Sequence, residues 1–84
     1  MLKLQTDFNA LSDSDQAWGL WLDGQRFEPI ADSVGAKVGD RVVILEPEDF
    51  EVEGELGFGL VDPPCRSDTE MWFVKVDWTT LRRF

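Results

Sequence analysis

The sequence predicts an all-β fold, a small antiparallel barrel or roll of five to six short strands. Turn signals recur about every ten residues, and the segments between them are β-branched or strictly alternating. No segment has both the length and the period of a long helix. The chain has 84 residues, which suit one domain and leave no room for two. We therefore expect residues 1–84 to form a single β-barrel domain.

The central segment, residues 38–58, predicts a hairpin with one acidic face. Gly39 and Asp40 form a turn signal, which the β-branched run 41–45 follows as a buried strand. Pro47 interrupts the ladder because it has no N–H to donate. Beyond it the pattern alternates, which is typical of a half-buried strand. The core side is expected to hold Val52, Gly54, Leu56 and Phe58, and the solvent side Glu51, Glu53, Glu55 and Gly57.

The N-terminal half is predicted from shorter signals. Residues 2–5 favour an initial strand, and the segment 1–16 as a whole is interpreted as an N-terminal arm that ends in a polar loop. Asp-Gly between two apolar or alternating runs is the strongest short hairpin signal, because a type I′ turn needs positive φ at both central residues. Asp23-Gly24 therefore predicts a hairpin between a strand at 17–22 and a strand at 25–30.

The C-terminal half is predicted to contain a long loop and one further strand. Residues 60–70 include Pro63-Pro64 and a polar end, which favours a loop, and long ordered loops often carry binding residues. Residues 71–78 alternate as a strand, and residues 79–81 favour one short 3₁₀ turn, with residues 82–84 as a tail or a final edge strand. The core face of that strand is predicted to hold Trp72, Val74, Val76 and Trp78.

At the level of the fold the chain resembles the SH3-like barrels. The resemblance rests on Val38-Gly39-Asp40-Arg41-Val42-Val43 entering a strand, on the long acidic hairpin, and on the Trp-rich strand that leads into the turn at 79–81. It covers residues 38–84. The aromatic ALYDY-like segment of peptide-binding SH3 domains is absent, and the sequence has no tyrosine. The resemblance therefore implies a fold and no binding residues.

The charge of the chain favours one class of partner. The formal net charge is −9, from 17 acidic and 8 basic residues. Phosphate backbones and anionic lipids repel such a protein, so we expect neither direct nucleic-acid binding nor membrane binding. A basic protein partner is favoured, and the alternative is that the acidity only provides solubility. The sequence leaves the oligomeric state open.

The residue types of many catalytic and metal sites are missing. The sequence has no histidine and one cysteine, Cys65, which excludes imidazole bases, Ser-His or Cys-His pairs, internal disulfides and the usual zinc sites. We expect a protein without enzymatic activity or a cofactor, with Cys65 an incidental free thiol. The sequence shows no signal peptide and no transmembrane segment, so a cytoplasmic location is the expectation.

The predicted partner-binding surface comprises the hairpin 46–55 and the adjoining loop 60–70. From Val42 to Cys65 there are seven acidic residues and no basic one, and such a single-sign patch speeds association with an oppositely charged protein. Small acidic immunity proteins and inhibitors of basic enzymes share this size and charge. The acidic candidates are Glu46, Glu48, Asp49, Glu51, Glu53, Glu55 and Asp62, and the candidate apolar anchors are Trp21 and Phe73.

Two alternative functions remain open from the sequence. The first is an SH3-like adaptor that binds an extended peptide through exposed aromatic residues such as Trp21. The second is a carboxylate site for a divalent metal, because the same glutamates are oxygen ligands of the type that Ca²⁺ and Mg²⁺ prefer. The sequence lacks the DxDxDG loop that would make a calcium site specific.

Overall fold

The computed structural model describes residues 2–6, 11–12, 14–46, 48–62 and 68–83. These residues contain strands and one 3₁₀-helix but no α-helix, so the predicted all-β class is confirmed. No helix in this part of the chain is long and apolar enough to cross a membrane. The strands are β1 (Lys3–Thr6), β2 (Gln16–Ala17), β3 (Leu20–Leu22), β4 (Gln25–Arg26), β5 (Arg41–Glu46), β6 (Phe50–Gly59) and β7 (Met71–Arg83), and the 3₁₀-helix is Glu28–Ile30.

The strands form one sheet in the order β2-β7-β6-β5-β1-β3-β4, which curls into a half-barrel compatible with a small barrel fold. β1 pairs with β5 in parallel, and the other ladders are antiparallel. The sheet is therefore mixed and not purely antiparallel as predicted. A parallel pair needs a long connection, and the segment between Thr6 and Arg41 supplies it while forming β2, β3 and β4. Seven strands exceed the predicted five to six because the edge strands β2 and β4 have only two residues each.

The predicted central hairpin is present as β5 and β6. Val42 lies opposite Gly54 and Ile44 opposite Val52, on the face that packs in the core. Phe58, which was expected in the core, is 46% exposed. It lies one residue before the end of β6, where its ring packs edge-on against Trp72 with centroids 5.4 Å apart and is covered only in part.

A close approach of β6 and β7 requires the glycine at position 54. A Cβ atom there would lie 2.5 Å from the carbonyl oxygen of Lys75 and closer still to the side chain of Val74. Backbone atoms that come this near leave no room for a side chain. The alternating pattern of β6 therefore contains a glycine on its inner face for a steric reason.

The predicted strand at 17–22 is divided into two strands. Gly19 has a φ of +70° and turns the chain away from β7, so β2 pairs with β7 while β3 pairs with β1. The Asp23-Gly24 hairpin is confirmed, with φ of 51° and 80° at its two central residues. The strand predicted at 25–30 ends at Arg26, because Pro29 lies in the first turn of a 3₁₀-helix, where its missing N–H costs nothing.

The last strand is longer than predicted. β7 continues to Arg83, and the 3₁₀ turn predicted at 79–81 is wrong. The pairing of β7 with β6 shifts between Glu51 and Glu53, where β7 carries extra residues in a bulge. Trp78, which was predicted in the core, lies at this bulge and is 39% exposed. The bulge moves the tryptophan out of the inner face.

The core fills the concave side of the sheet. It also holds together the seam of the half-barrel, where the 3₁₀-helix Glu28–Ile30 and Phe27 before it meet the start of β7. Its buried residues are Leu4, Ala17, Leu20, Phe27, Ala31, Val42, Ile44, Val52, Leu56, Val74 and Val76. At the seam, Phe27 packs edge-on against Trp72 with ring centroids 5.8 Å apart. A Glu28 carboxylate oxygen accepts a hydrogen bond from the backbone N–H of Trp72 at 2.7 Å. The 3₁₀-helix thus supplies a partner to a β7 N–H that points away from β6.

Candidate functional site

The outer face of β6 carries the predicted glutamates, but arginines from both neighbouring strands accompany them. Arg82 on β7 donates to Glu51 at 2.9 Å, and Arg41 on β5 contacts Glu53 at 3.3 Å. Their carboxylate side chains are only 17% and 29% exposed. Glu55 is exposed and forms no ion pair within the described residues. The structure therefore partly neutralises a face that the sequence presents as acidic.

A network around Asp77 fixes the bulge of β7. Its carboxylate accepts hydrogen bonds from Arg41 Nη2 at 2.7 Å and from the Thr79 hydroxyl at 2.6 Å. These bonds, first from Thr79 and then from Arg41, lower the pKa of Asp77 below its usual value. The Thr80 hydroxyl accepts from the Glu53 N–H at 2.8 Å and donates to the Asp77 carbonyl at 2.7 Å. The polar groups of this network form hydrogen bonds with one another, so the network has a structural role.

The tip of the β5–β6 hairpin is the first part of the candidate surface with unpaired carboxylates. Glu46 is half-buried and ends β5, while Glu48 is exposed with a φ of 66° in the turn. Asp49 is exposed and lies 3.9 Å from Arg83, at the limit of an ion pair. Pro47 lies outside the described residues. The tip keeps a negative field because Glu46 and Glu48 form no ion pair in the described part of the chain.

The loop that was predicted to extend this surface lies at the other end of β6. Asp62 accepts a hydrogen bond from the Ser14 hydroxyl at 2.6 Å, and its N–H donates to the side chain of Gln16 at 2.9 Å. These bonds tie the start of the loop to Ser14 and to the first residue of β2. Cys65 lies outside the described residues. At about 3.3 Å per residue, the ten residues of β6 separate the hairpin tip from this loop by about 30 Å. The structure therefore places the two parts of the predicted surface apart.

The two predicted apolar anchors also lie apart. Phe73 is half-buried opposite Gly57 on β6, and a Cβ at Gly57 would come within 2.5 Å of the Phe73 ring. The ring therefore covers its own neighbouring strand. Trp21 is half-buried on β3 and lines a cleft at the seam of the half-barrel, which Trp72 also lines.

This seam cleft contains residues that the sequence did not single out. It is lined by Gly19, Leu20, Trp21, Arg26, Phe27, Glu28, Met71 and Trp72. No local pattern predicts a contact such as that between Glu28 and Trp72, which are 44 residues apart in sequence. Arg41 and Arg82 are missed for a related reason, since only the pairing of β5, β6 and β7 brings them to the glutamates.

The described residues offer no metal site, and known proteins offer no guide to the function. Among the described residues, no group of three or more aspartate, glutamate, cysteine or histidine residues could hold a metal ion. Comparisons with protein-family models, with curated proteins and with solved structures found no significant match. The inference about function therefore depends on the geometry and charge of this chain.

Proposed function

We propose that the protein is a non-enzymatic binding module for a basic protein partner. One observation carries the proposal: the net charge of −9 is accompanied by internal ion pairs that engage Arg41, Arg82 and Arg83. Because these arginines cancel carboxylates within the fold, the net charge stays at −9 and the excess negative charge lies on the acids outside these pairs. A negative field of this kind accelerates encounter with a positively charged protein and disfavours wrong partners.

The proposed contact surface contains the carboxylates that the fold leaves free. These are Glu46 and Glu48 at the hairpin tip and Glu55 on the outer face, while Asp49 beside the tip is in a long ion pair with Arg83. Glu51 and Glu53 contribute less, because each is engaged by an arginine and partly covered. Acidic residues of the loop after β6, such as Asp62, would form a second contact toward the other end of the strand.

In this proposal the module acts as small acidic immunity proteins and inhibitors do, by covering a basic surface of its partner. The proposal places the protein in the cytoplasm and gives the half-barrel an SH3-like architecture. The long β5–β6 hairpin and the small sheet support that architecture, while the parallel pairing of β1 with β5 sets this chain apart from a purely antiparallel barrel.

The test compares two double variants that each remove two negative charges. Glu48→Gln with Glu55→Gln alters the proposed surface, and Asp23→Asn with Asp32→Asn is the matched control at exposed positions outside it. Asparagine tolerates the positive φ of position 23. Each immobilised protein is used to capture partners from the source lysate at low and high salt, and the association rate of the captured protein is then measured.

We expect the wild type and the control variant to capture the same basic protein at low salt. The hairpin variant should associate several-fold more slowly, and high salt should remove the difference, because steering between exposed charges is screened. Equal association rates for the two double variants would contradict the proposed surface. Capture that persists unchanged at high salt would contradict an electrostatic partner.

A second candidate function is supported by the position of Trp21. In this proposal the module is an adaptor for an extended peptide, which would contact Trp21 at the seam cleft and the exposed side chain of Phe58, which packs against Trp72. Binding of this type depends little on salt. Trp21→Ala should then abolish capture at both salt concentrations, whereas the hairpin variant should retain it.

A further inference from the structure

The seam cleft combines aromatic walls with one carboxylate. Trp21 of β3 and Trp72 of β7 both line it, together with Phe27, which is fully buried. Glu28 lines the same cleft and is exposed at its rim. The volume of the cleft is about 40 Å³, far below the roughly 300–1,000 Å³ of sites for drug-sized molecules. A space of this size accommodates the end of one side chain.

We propose that the seam cleft binds the cationic end of a lysine or arginine side chain that the basic partner presents. The faces of tryptophan rings attract cations through their quadrupole, and Trp is the best of the aromatic side chains for this contact. The Glu28 carboxylate would add a charge-assisted hydrogen bond. Only its Oε1 accepts from the Trp72 N–H, so the second oxygen can receive the ligand. The inference rests on the proposed function for the source of the cation.

The surroundings of the cleft also select for positive charge. Met71 and Trp72 begin β7 directly after the exposed acids Asp68 and Glu70. Glu28 is the one described carboxylate that lines the cleft, and it would repel an anionic ligand there. Arg26 is the one described cation that lines the cleft, and it is exposed and forms no ion pair with Glu28. Arg26 should therefore weaken the binding of a ligand cation by repulsion.

The test uses defined peptides and needs no natural partner. Acetyl-Gly-Lys-Gly-amide and acetyl-Gly-Arg-Gly-amide are titrated into the full chain, and the four indole N–H signals are followed by ¹H–¹⁵N NMR. Peptides with norleucine or glutamate at the central position are the uncharged and anionic controls. We expect the cationic peptides to shift the signals of Trp21 and Trp72 with millimolar affinity, and the signal of Trp78, which donates to Asp15 and does not line the cleft, to stay in place.

Four variants separate a local contact from a general charge effect. Glu28→Gln keeps an acceptor for the Trp72 N–H but removes the charge, and should lower the affinity about fivefold. Arg26→Gln should raise the affinity by a similar factor. Asp32→Asn and Lys37→Gln make the same charge changes at exposed positions that do not line the cleft, and should change the affinity by less than about twofold.

Several outcomes would overturn the proposal. Equal shifts with the norleucine peptide would show an apolar cleft, and shifts with the glutamate peptide would show an anion site. The absence of any shift would exclude the site, as would equal effects of Glu28→Gln and Asp32→Asn. These titrations do not involve Glu48 or Glu55. A result that excludes cation binding at the cleft is therefore distinguishable from one that excludes partner binding at the hairpin.

Discussion

Arg41 and Asp77 are joined by a 2.7 Å hydrogen-bonded ion pair that spans the outer face of three adjacent strands. Arg41 begins β5, Asp77 lies on β7, and Glu53 on β6 lies between them and contacts the same guanidinium. Glu53 and Asp77 are direct cross-strand neighbours, and two like charges in that position destabilise a sheet. The arginine removes this repulsion, and its own pKa is raised, chiefly by the hydrogen bond to Asp77.

Protonation of Asp77 should contribute to the loss of folding stability in acid. The pKa of this carboxyl is lowered in the folded state by Thr79 and Arg41 from an unfolded value of 3.8. A lowered folded-state pKa stabilises the protein above the unfolded value, and this contribution is lost as the pH falls through the folded one. The free-energy difference between the wild type and Asp77→Asn, measured by urea unfolding, should therefore be constant above about pH 5 and shrink below pH 3.8. A difference that is independent of pH would contradict this role.

The hydroxyl of Thr80 should matter more than that of Thr79. Thr80 joins both strands at the bulge, since it accepts from the Glu53 N–H and donates to the Asp77 carbonyl. Thr80→Val leaves a partly buried N–H without its partner and should reduce the free energy of unfolding by about 1–3 kcal/mol. Thr79→Val is the control and removes one exposed bond, so its cost should be below about 1 kcal/mol. Equal costs in urea unfolding would count against the bulge network.

The sequence predicts the elements whose signals are local. The alternation of residues 51–58 indicates the strand, and Asp23-Gly24 indicates the turn, because each depends only on neighbouring residues. The end of β7 is missed, since the bulge there is held by Thr80 and by a strand that is distant in sequence. The parallel pairing of β1 with β5 is missed for the same reason, because nothing local specifies the partner of a short strand.

The candidate site is predicted less completely than the fold. The glutamates of β6 are found because they alternate, but their partners Arg41 and Arg82 lie on other strands. The sequence leaves Arg82 in a tail or a final edge strand, and only the continuation of β7 places it opposite Glu51. The seam cleft depends on the meeting of the 3₁₀-helix with β7, a relationship that composition and periodicity do not contain.

Gly54 should tolerate no side chain. A methyl group at this position would meet the Lys75 carbonyl oxygen and the Val74 side chain, so Gly54→Ala should destabilise the protein by about 1–3 kcal/mol through displacement of β7. Gly59→Ala is the control on the same strand, because a Cβ there meets nothing within 4 Å. It should be neutral or stabilising by up to about 1 kcal/mol. Similar unfolding midpoints for the two variants would show that β6 and β7 can separate without cost.

The hydrogen bond from Trp72 to Glu28 should hold the seam of the half-barrel closed. Glu28→Ala removes the acceptor of the Trp72 N–H, whereas Glu28→Gln keeps one oxygen, as an amide oxygen, that can accept the same bond. The amide hydrogen of Trp72 should therefore exchange with solvent faster in the alanine variant than in the glutamine variant. The free energy of unfolding should fall by about 0.5–1.5 kcal/mol for alanine only. Because the edge contact between Phe27 and Trp72 lies at the same seam, exchange that is equally slow in both variants would show that the aromatic contact alone closes it.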